Sequence, residues 1–282
     1  TIRVVDQQGN RLESGEPQIE DSGDSITIAL HPLSAGAYWV LWRVNSVDGH
    51  TVQGHYGFGV EADPPTESTL PPAVSIIASP ALQAFIAAVN WIGLVATVLW
   101  LGGLVFVWWL LVPACAASSA SHDENAPAWE SCKGPLKLLW IAIPVWFVAE
   151  YLDLVGQAVK LANISFREAN SVSALTTLIA ATNFGKYWSI KMLAGGALLA
   201  VQVVFLRIRT AQGKRDRSSP LPDLLPKAAA VALSGLILLA NPMTGHAHAV
   251  GQAPVIAVAS DWLHLAASVI WVGGLVHFLA AV

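Results

Sequence analysis

Asn90–Phe106 reads NWIGLVATVLWLGGLVF, and Asp261–His277 reads DWLHLAASVIWVGGLVH. At an offset of 171 the two stretches share nine of 17 positions, from Trp91/Trp262 and Trp100/Trp271 to Gly102/Gly273 and Gly103/Gly274. A shared Trp-x-Gly-Gly-Leu is more than apolar composition alone produces. Each copy lies in an apolar run near or above the ~20 residues that cross ~30 Å of hydrocarbon. Each therefore reads as a spanning helix. The repetition makes them the first helices of two parallel four-helix repeats, an arrangement used by transporters. On this reading the intact protein continues for about three more helices.

Working outward, apolar segments at roughly 82–112, 136–160, 187–208, 228–245 and 256–282 predict five spans. The chain has 282 residues, 54% of them hydrophobic and only 12% charged. A soluble domain carries about 25% charged residues. That composition excludes a simple soluble enzyme and a nucleic-acid-binding chain. The loop after the third span holds Arg207, Arg209, Lys214, Arg215, Arg217 and Lys227, which places it in the cytoplasm. Counting spans from there, everything before the first helix is extracytoplasmic and the loop with His246 and His248 is external. Cys115 and Cys132 fall in a cytoplasmic loop and are expected to be reduced thiols.

Residues 1–79 carry three arginines and ten carboxylates, an acidic balance opposite to that of the helical part. They read as short strands. Ala37–Asn45 alternates with Tyr38, Val40, Trp42 and Val44 on one face, and Thr51–Val60 with Val52, Tyr56, Phe58 and Val60. Four strands with one hydrophobic face make part of a sandwich, which closes at about seven. The missing strands are expected upstream of Thr1, and the helical part is expected to be cut at the other end. Prolines 64, 65, 71, 72 and 80 mark a linker. The expected organisation is a soluble part at 1–61, a linker at 62–80 and a membrane domain at 81–282.

Several side chains have metal-binding chemistry. Asp48-Gly49-His50 sets a carboxylate and an imidazole two residues apart in a tight turn, a pairing that suits copper(II) or zinc. A plain Asp-Gly turn with an exposed histidine fits the same three residues. Asn241-Pro242 is expected to break the fourth span near its outer end, with His246 and His248 just beyond. Asp261 and His264 are three apart on a helix, hence on one face, within two turns of its outer end. His246, His248, Asp261 and His264 are thus expected at one depth, as a metal-handling group or as a polar loop beside an interfacial Asp and His. Ionisable residues inside spans are costly and usually functional. Glu150, on one face with Asp153, needs a partner, and Lys191 is the natural candidate, whether as a structural ion pair or on a transport path. His277 lies roughly 20 Å further along its helix than His264, as a second station or an interfacial histidine.

The run Pro32-Leu33-Ser34-Ala35-Gly36-Ala37-Tyr38-Trp39-Val40, followed by Trp42-Arg43-Val44 and Asp48-Gly49-His50-Thr51-Val52-Gln53-Gly54, resembles the C-terminal half of the copper-binding CopC family. The membrane portion resembles CopD, its integral-membrane partner, through Gly185-x-x-Trp188-x-x-Lys191, Thr244-Gly245-His246-Ala247 and Asp261-Trp262-x-His264 through Trp271-x-Gly273-Gly274-Leu275. The resemblance implies an all-β, partial Greek-key β-sandwich followed by an all-α polytopic membrane domain built from four-helix repeats. It also implies that Asp48 and His50 are copper(II) ligands, alongside an N-terminal histidine that falls before Thr1.

The expected function is copper binding and transport, as import or tolerance, at the bacterial cytoplasmic membrane. The periplasmic domain captures copper(II) and passes it to the helices, without enzymatic chemistry. The partners expected are copper, the lipid bilayer and a periplasmic copper carrier, with no nucleic acid. The absence of GxxxxGK[ST] argues against a nucleotide. The rival readings are a b-type haem electron carrier using paired histidines, and a factor that delivers copper to a cuproenzyme without transporting it.

Overall fold

The computed structural model describes residues 2–15, 17–19, 25–45, 51–67, 80–114, 130–162, 164–211, 221–244 and 254–282. The chain divides into two compact units, Thr1–Gln83 and Ala84–Val282.

The first unit is built on a three-stranded antiparallel sheet in the order β1 (Ile2–Asp6), β4 (Gly36–Asn45), β5 (Thr51–Val60). A small two-stranded sheet pairs β2 (Gln18–Ile19) with β3 (Ile26–Thr27). Registers Val5↔Trp39 and Leu41↔His55 place Val5, Trp39, Leu41 and His55 on one face. That face carries the tightest burial, with Val5, Trp39, Leu41 and Arg43 enclosed. The expected face, Tyr38, Val40, Trp42 and Val44, is buried only at Tyr38, while Val44, Val52 and Tyr56 are exposed. The reason lies past β5. Glu61 takes a left-handed φ of 51° and turns the chain back. Pro65 then closes over Gly57, where a Cβ would stand 2.5 Å from its Cγ, and Glu67 comes within 4.0 Å of His55. Odd and even positions of β4 are both apolar, so period-two alternation alone did not choose between them. His55 lies edge-on to Trp39 at 5.4 Å between ring centroids.

The second unit is helical. Its long helices are α1 (Pro80–Ala114), α2 (Glu130–Ala162), α5 (Asn183–Ala211), α6 (Leu221–Thr244) and α7, whose parts are Pro254–Ser268, Val269–Gly273 and Gly274–Leu279. All five are long and apolar enough to cross a membrane. Two short helices, α3 (Phe166–Ala169) and α4 (Val172–Ala181), bridge α2 and α5. A capping box between Ser165 and Glu168 starts α3, and the Ser171 hydroxyl caps α4.

At the centre Trp100 and Trp146 meet edge to face at 5.1 Å. Each buried indole N–H is satisfied, Trp100 donating to Gln202 Oε1 (2.8 Å) and Trp146 to Thr97 Oγ1 (3.0 Å). In hydrocarbon an unmet donor costs several kcal/mol, about the range for an apolar medium without partners. The polar Gln202 and Thr97 in apolar runs are therefore explained by the tryptophans they serve.

The two sequence copies meet face to face. Each widens into a π-helical turn at the same place, Val98–Gly102 in α1 and Val269–Gly273 in α7. A Cβ on Gly102 would collide with the Val269 carbonyl and stand 2.7 Å from Gly273 Cα. One on Gly273 would collide with the Val98 carbonyl and stand 2.8 Å from Gly102 Cα. Equivalent residues thus touch equivalent residues, so α1 and α7 run side by side in the same direction. Such small-residue contacts let spanning helices approach at backbone distance.

Candidate functional site

Three groups of chemically capable side chains emerge, at different levels of the helical unit. The first is an ion pair across α2 and α5. Lys191 Nζ stands 2.6 Å from Glu150 Oε2, with both side chains nearly buried. The approach is short but off the hydrogen-bond direction, so attraction between charges dominates it. Lys191 also reaches Asn241 Oδ1 on α6 at 3.5 Å, and Trp188 donates its indole N–H to the Glu150 carbonyl at 2.9 Å. The Gly185-x-x-Trp188-x-x-Lys191 motif therefore has a physical reading. Gly185 seats α5 on the backbone of Leu178 and Ile179, Trp188 fixes α5 against α2, and Lys191 neutralises Glu150. Asp153, one turn beyond Glu150, takes a weak hydrogen bond from Gln157 at 3.5 Å.

Sequence reading missed Asn241 in this role, because its neighbour Pro242 reads as a helix end. In fact α6 continues past Asn241-Pro242 to Thr244, where the threonine hydroxyl donates to the Ala240 and Asn241 carbonyls. Pro242 only removes one backbone donor, and the last turn closes without it. The signal available was a polar side chain in the same apolar helix face as its neighbours, which inside a span implies a partner.

The second group is on α7. Asp261 is partly buried and His264 exposed, one turn apart. They lie seven and ten residues after Pro254, about 10 and 15 Å along the helix. His264 is thus nearly three turns in, deeper than the two turns expected. The Trp262 indole N–H donates to the Gly235 carbonyl at 3.0 Å. Gly235 is nine residues before the end of α6, about 14 Å. Asp261 thus lies within the first two turns of α7, and His264 one turn further along. His246 and His248, which were expected to share their depth, lie outside the described residues, as do Asp48 and His50. Among the described residues no three His, Cys, Asp or Glu side chains come together as a metal site.

The third is His277, which is fully buried among the helices. One ring nitrogen, Nδ1, sits 2.8 Å from the Gly273 carbonyl, and the ring lies 6.3 Å from that of Phe106. The other, Nε2, faces Gly103, whose missing side chain makes the room; a Cβ there would stand 2.5 Å from His277 Cε1. Nδ1 carries the proton toward the carbonyl, which leaves the Nε2 lone pair available.

In the first unit, burial pushes the Arg43 guanidinium below its usual pKa. Arg43 is the Arg of the Trp-Arg-Val stretch and ends the buried face of β4, close in sequence to Asp48-Gly49-His50.

The CopC domain model matches residues 1–61. A second model, copper resistance protein D-like, N-terminal domain, matches residues 81–254. No curated protein and no solved structure matches the chain. Five membrane-length helices and these matches make it a multi-pass membrane protein of a copper-handling class. The chain belongs to the copper resistance protein D-like family, with a CopC domain fused ahead of the membrane helices.

Proposed function

We propose that the protein captures copper(II) on the outer side of the cytoplasmic membrane with Asp48 and His50 and passes it to His246, His248, Asp261 and His264 for movement across that membrane. The division of labour is a soluble part at 1–61, a linker at 62–80 and a membrane domain from 81. The observation that carries the reading is the fusion itself: a CopC domain and a CopD-like domain lie on one polypeptide. Two copper-handling units on one chain keep donor and acceptor at high effective concentration. Asp261 and His264, a turn apart inside a spanning helix, supply the hard and borderline donors that copper(II) takes. Glu150 with Lys191, and His277, are further stations on the path.

The test is copper accumulation by cells making the full-length protein, normalised to its membrane level. Asp48→Ala, His50→Ala and His264→Ala are each expected to lower accumulation at least tenfold, without loss of inserted protein. Wild-type accumulation by His264→Ala would remove the α7 group from the path. A Soret band in the purified protein would mean haem instead.

Orientation is tested separately. The six basic residues between Arg207 and Lys227 support a cytoplasmic loop, with the soluble unit and His248 external. Cysteines placed at Lys214 and His248 in a background lacking Cys115 and Cys132 should be labelled by an impermeant thiol reagent only at 248 in intact cells. Labelling at 214 reverses the topology.

A further inference from the structure

Glu150, Asp153, Gln157 and Lys160 follow one another on α2 at helical spacing, so they form one polar stripe along its last third. The stripe starts in the last turn, where Lys160 meets the negative end of the helix dipole. It ends at Glu150, about 15 Å deeper. Glu150 is more than nine-tenths buried, and Asp153, Gln157 and Lys160 are half-buried. Gln157 Nε2 points at Asp153 Oδ1.

The charges at the deep end do not balance. Lys191 acts electrostatically on both carboxylates, but its contact is with Glu150. Lys160 acts on Asp153 more weakly, from about 10 Å along the helix. The neighbouring elements add little. Residues 80–114 of α1 and all of α4 carry no titratable side chain. On α3, Glu168 is engaged by Ser165, and Arg167 lies beside it in sequence. On α5, Lys186 sits over the Tyr187 ring, and on α2 itself Tyr151 is engaged by Asn170. The near side of α6 brings the neutral Asn241, and α7 meets α2 at the opposite end, where Gly134 faces the Ala280 carbonyl. Of the described residues, Lys191, Glu150 and Lys160 are the charges that act on Asp153. Two carboxylates thus share one close ammonium inside a span, where an unbalanced charge is costly.

We propose that this stripe is a proton-binding site, with Asp153 as the group that holds the proton. A proton from the water at the Lys160 end forms an O–H bond on the Asp153 carboxylate, beside the Gln157 amide, while Lys191 keeps its charge on Glu150. Return of the proton to that water breaks the O–H bond and restores the second carboxylate. No electron moves and no other bond changes. Asp153 takes the proton rather than Glu150 because it lies nearer the helix end and lacks the ammonium contact. Lys191 also reaches Asn241 on α6, three residues before that helix ends at Thr244. An ionised Asp153 draws the ammonium toward α2, and a protonated one leaves it to Glu150 and Asn241. The proton therefore biases the α2–α6 link. Resting on the functional reading above, in which α6 leads on to His246 and His248, proton and copper affinities are linked and each alters the other.

The test is infrared spectroscopy of the full-length protein in ether lipid, which has no ester carbonyl. At neutral pH exposed carboxyls are ionised, so the C=O stretch of a protonated carboxyl stands alone. The wild type should show that band, shifted by exchange into D2O. Asp153→Asn should abolish it, and Asp153→Glu should keep it at a displaced frequency. Glu150→Gln should abolish it as well, since the freed ammonium then serves Asp153 and displaces its proton. A wild type without the band overturns the proposal, as does a band that survives both Asp153→Asn and Glu150→Gln. Copper(II) added to the wild type should weaken the band, because a bound dication disfavours a proton linked to it. An unchanged band overturns the link to copper. Cells that fail to accumulate copper would sink the transport reading and leave the copper-free infrared result as it is.

Discussion

Lys191→Ala should destabilise the helical unit by about 3–5 kcal/mol, the cost of leaving one member of a buried ion pair without the other. The expectation follows from the 2.6 Å contact with Glu150 and from the near-complete burial of both side chains. Lys191 is the cation in contact with Glu150, and hydrocarbon offers no water to compensate for its loss. The thermal midpoint of the purified full-length protein is the measurement, read beside its level in membranes. Removing both charges, as Glu150→Leu with Lys191→Met, should recover most of the loss, because well-packed apolar replacements of buried pairs are often neutral. A double variant as unstable as Lys191→Ala would mean that Asn241, the lysine's second partner, carries the effect. Copper accumulation by the stable double variant then separates the two roles of the pair. Retained transport makes it structural, and lost transport places it on the ion path.

The pairing of Glu150 with Lys191 was legible in the sequence, since a carboxylate within an apolar span demands a neutralising neighbour and few candidates exist. The repeat was legible too, and with it the glycines that allow close approach. The contact they make with each other was not, because identity between copies does not say that the copies touch. The matched π-helical turns were equally hidden: Val98–Gly102 and Val269–Gly273 contain nothing that periodicity distinguishes from ordinary helix. In the first unit the strands β4 and β5 were readable, but the enclosed face was not. Trp39 and Leu41 are as apolar as Tyr38 and Val40, and the choice is made by residues 61–67 folding over one side. The depth of His264 was misjudged for a similar reason. A helix start at Pro254 and a level set by Trp262 on Gly235 are tertiary facts.

Gly102→Ala should be severely disruptive while Gly93→Ala is harmless, although both put one methyl group on the same helix. At Gly102 the new Cβ meets the Val269 carbonyl oxygen and Gly273 Cα, which are backbone atoms of α7 that no rotamer change can move aside. The two helices must separate, and the neighbouring enclosure of Trp100 and His277 loosens with them. Overpacking of this kind costs about 1–3 kcal/mol, occasionally more, and a backbone-to-backbone collision belongs at the upper end. Gly273→Ala meets the mirror-image obstacle in the Val98 carbonyl and should cost the same. The double variant should cost less than the sum of the two, because a pair already forced apart by the first methyl has room for the second. At Gly93 the Cβ finds only Ala149 Cβ at 3.5 Å, an ordinary contact. Alanine there also gains up to ~1 kcal/mol of helix propensity. Thermal midpoints and membrane levels of the four variants are the measurements. Equal midpoints for Gly93→Ala and Gly102→Ala would show that α1 and α7 are not held at backbone distance, and the two-fold relation between the repeats would fall with that contact.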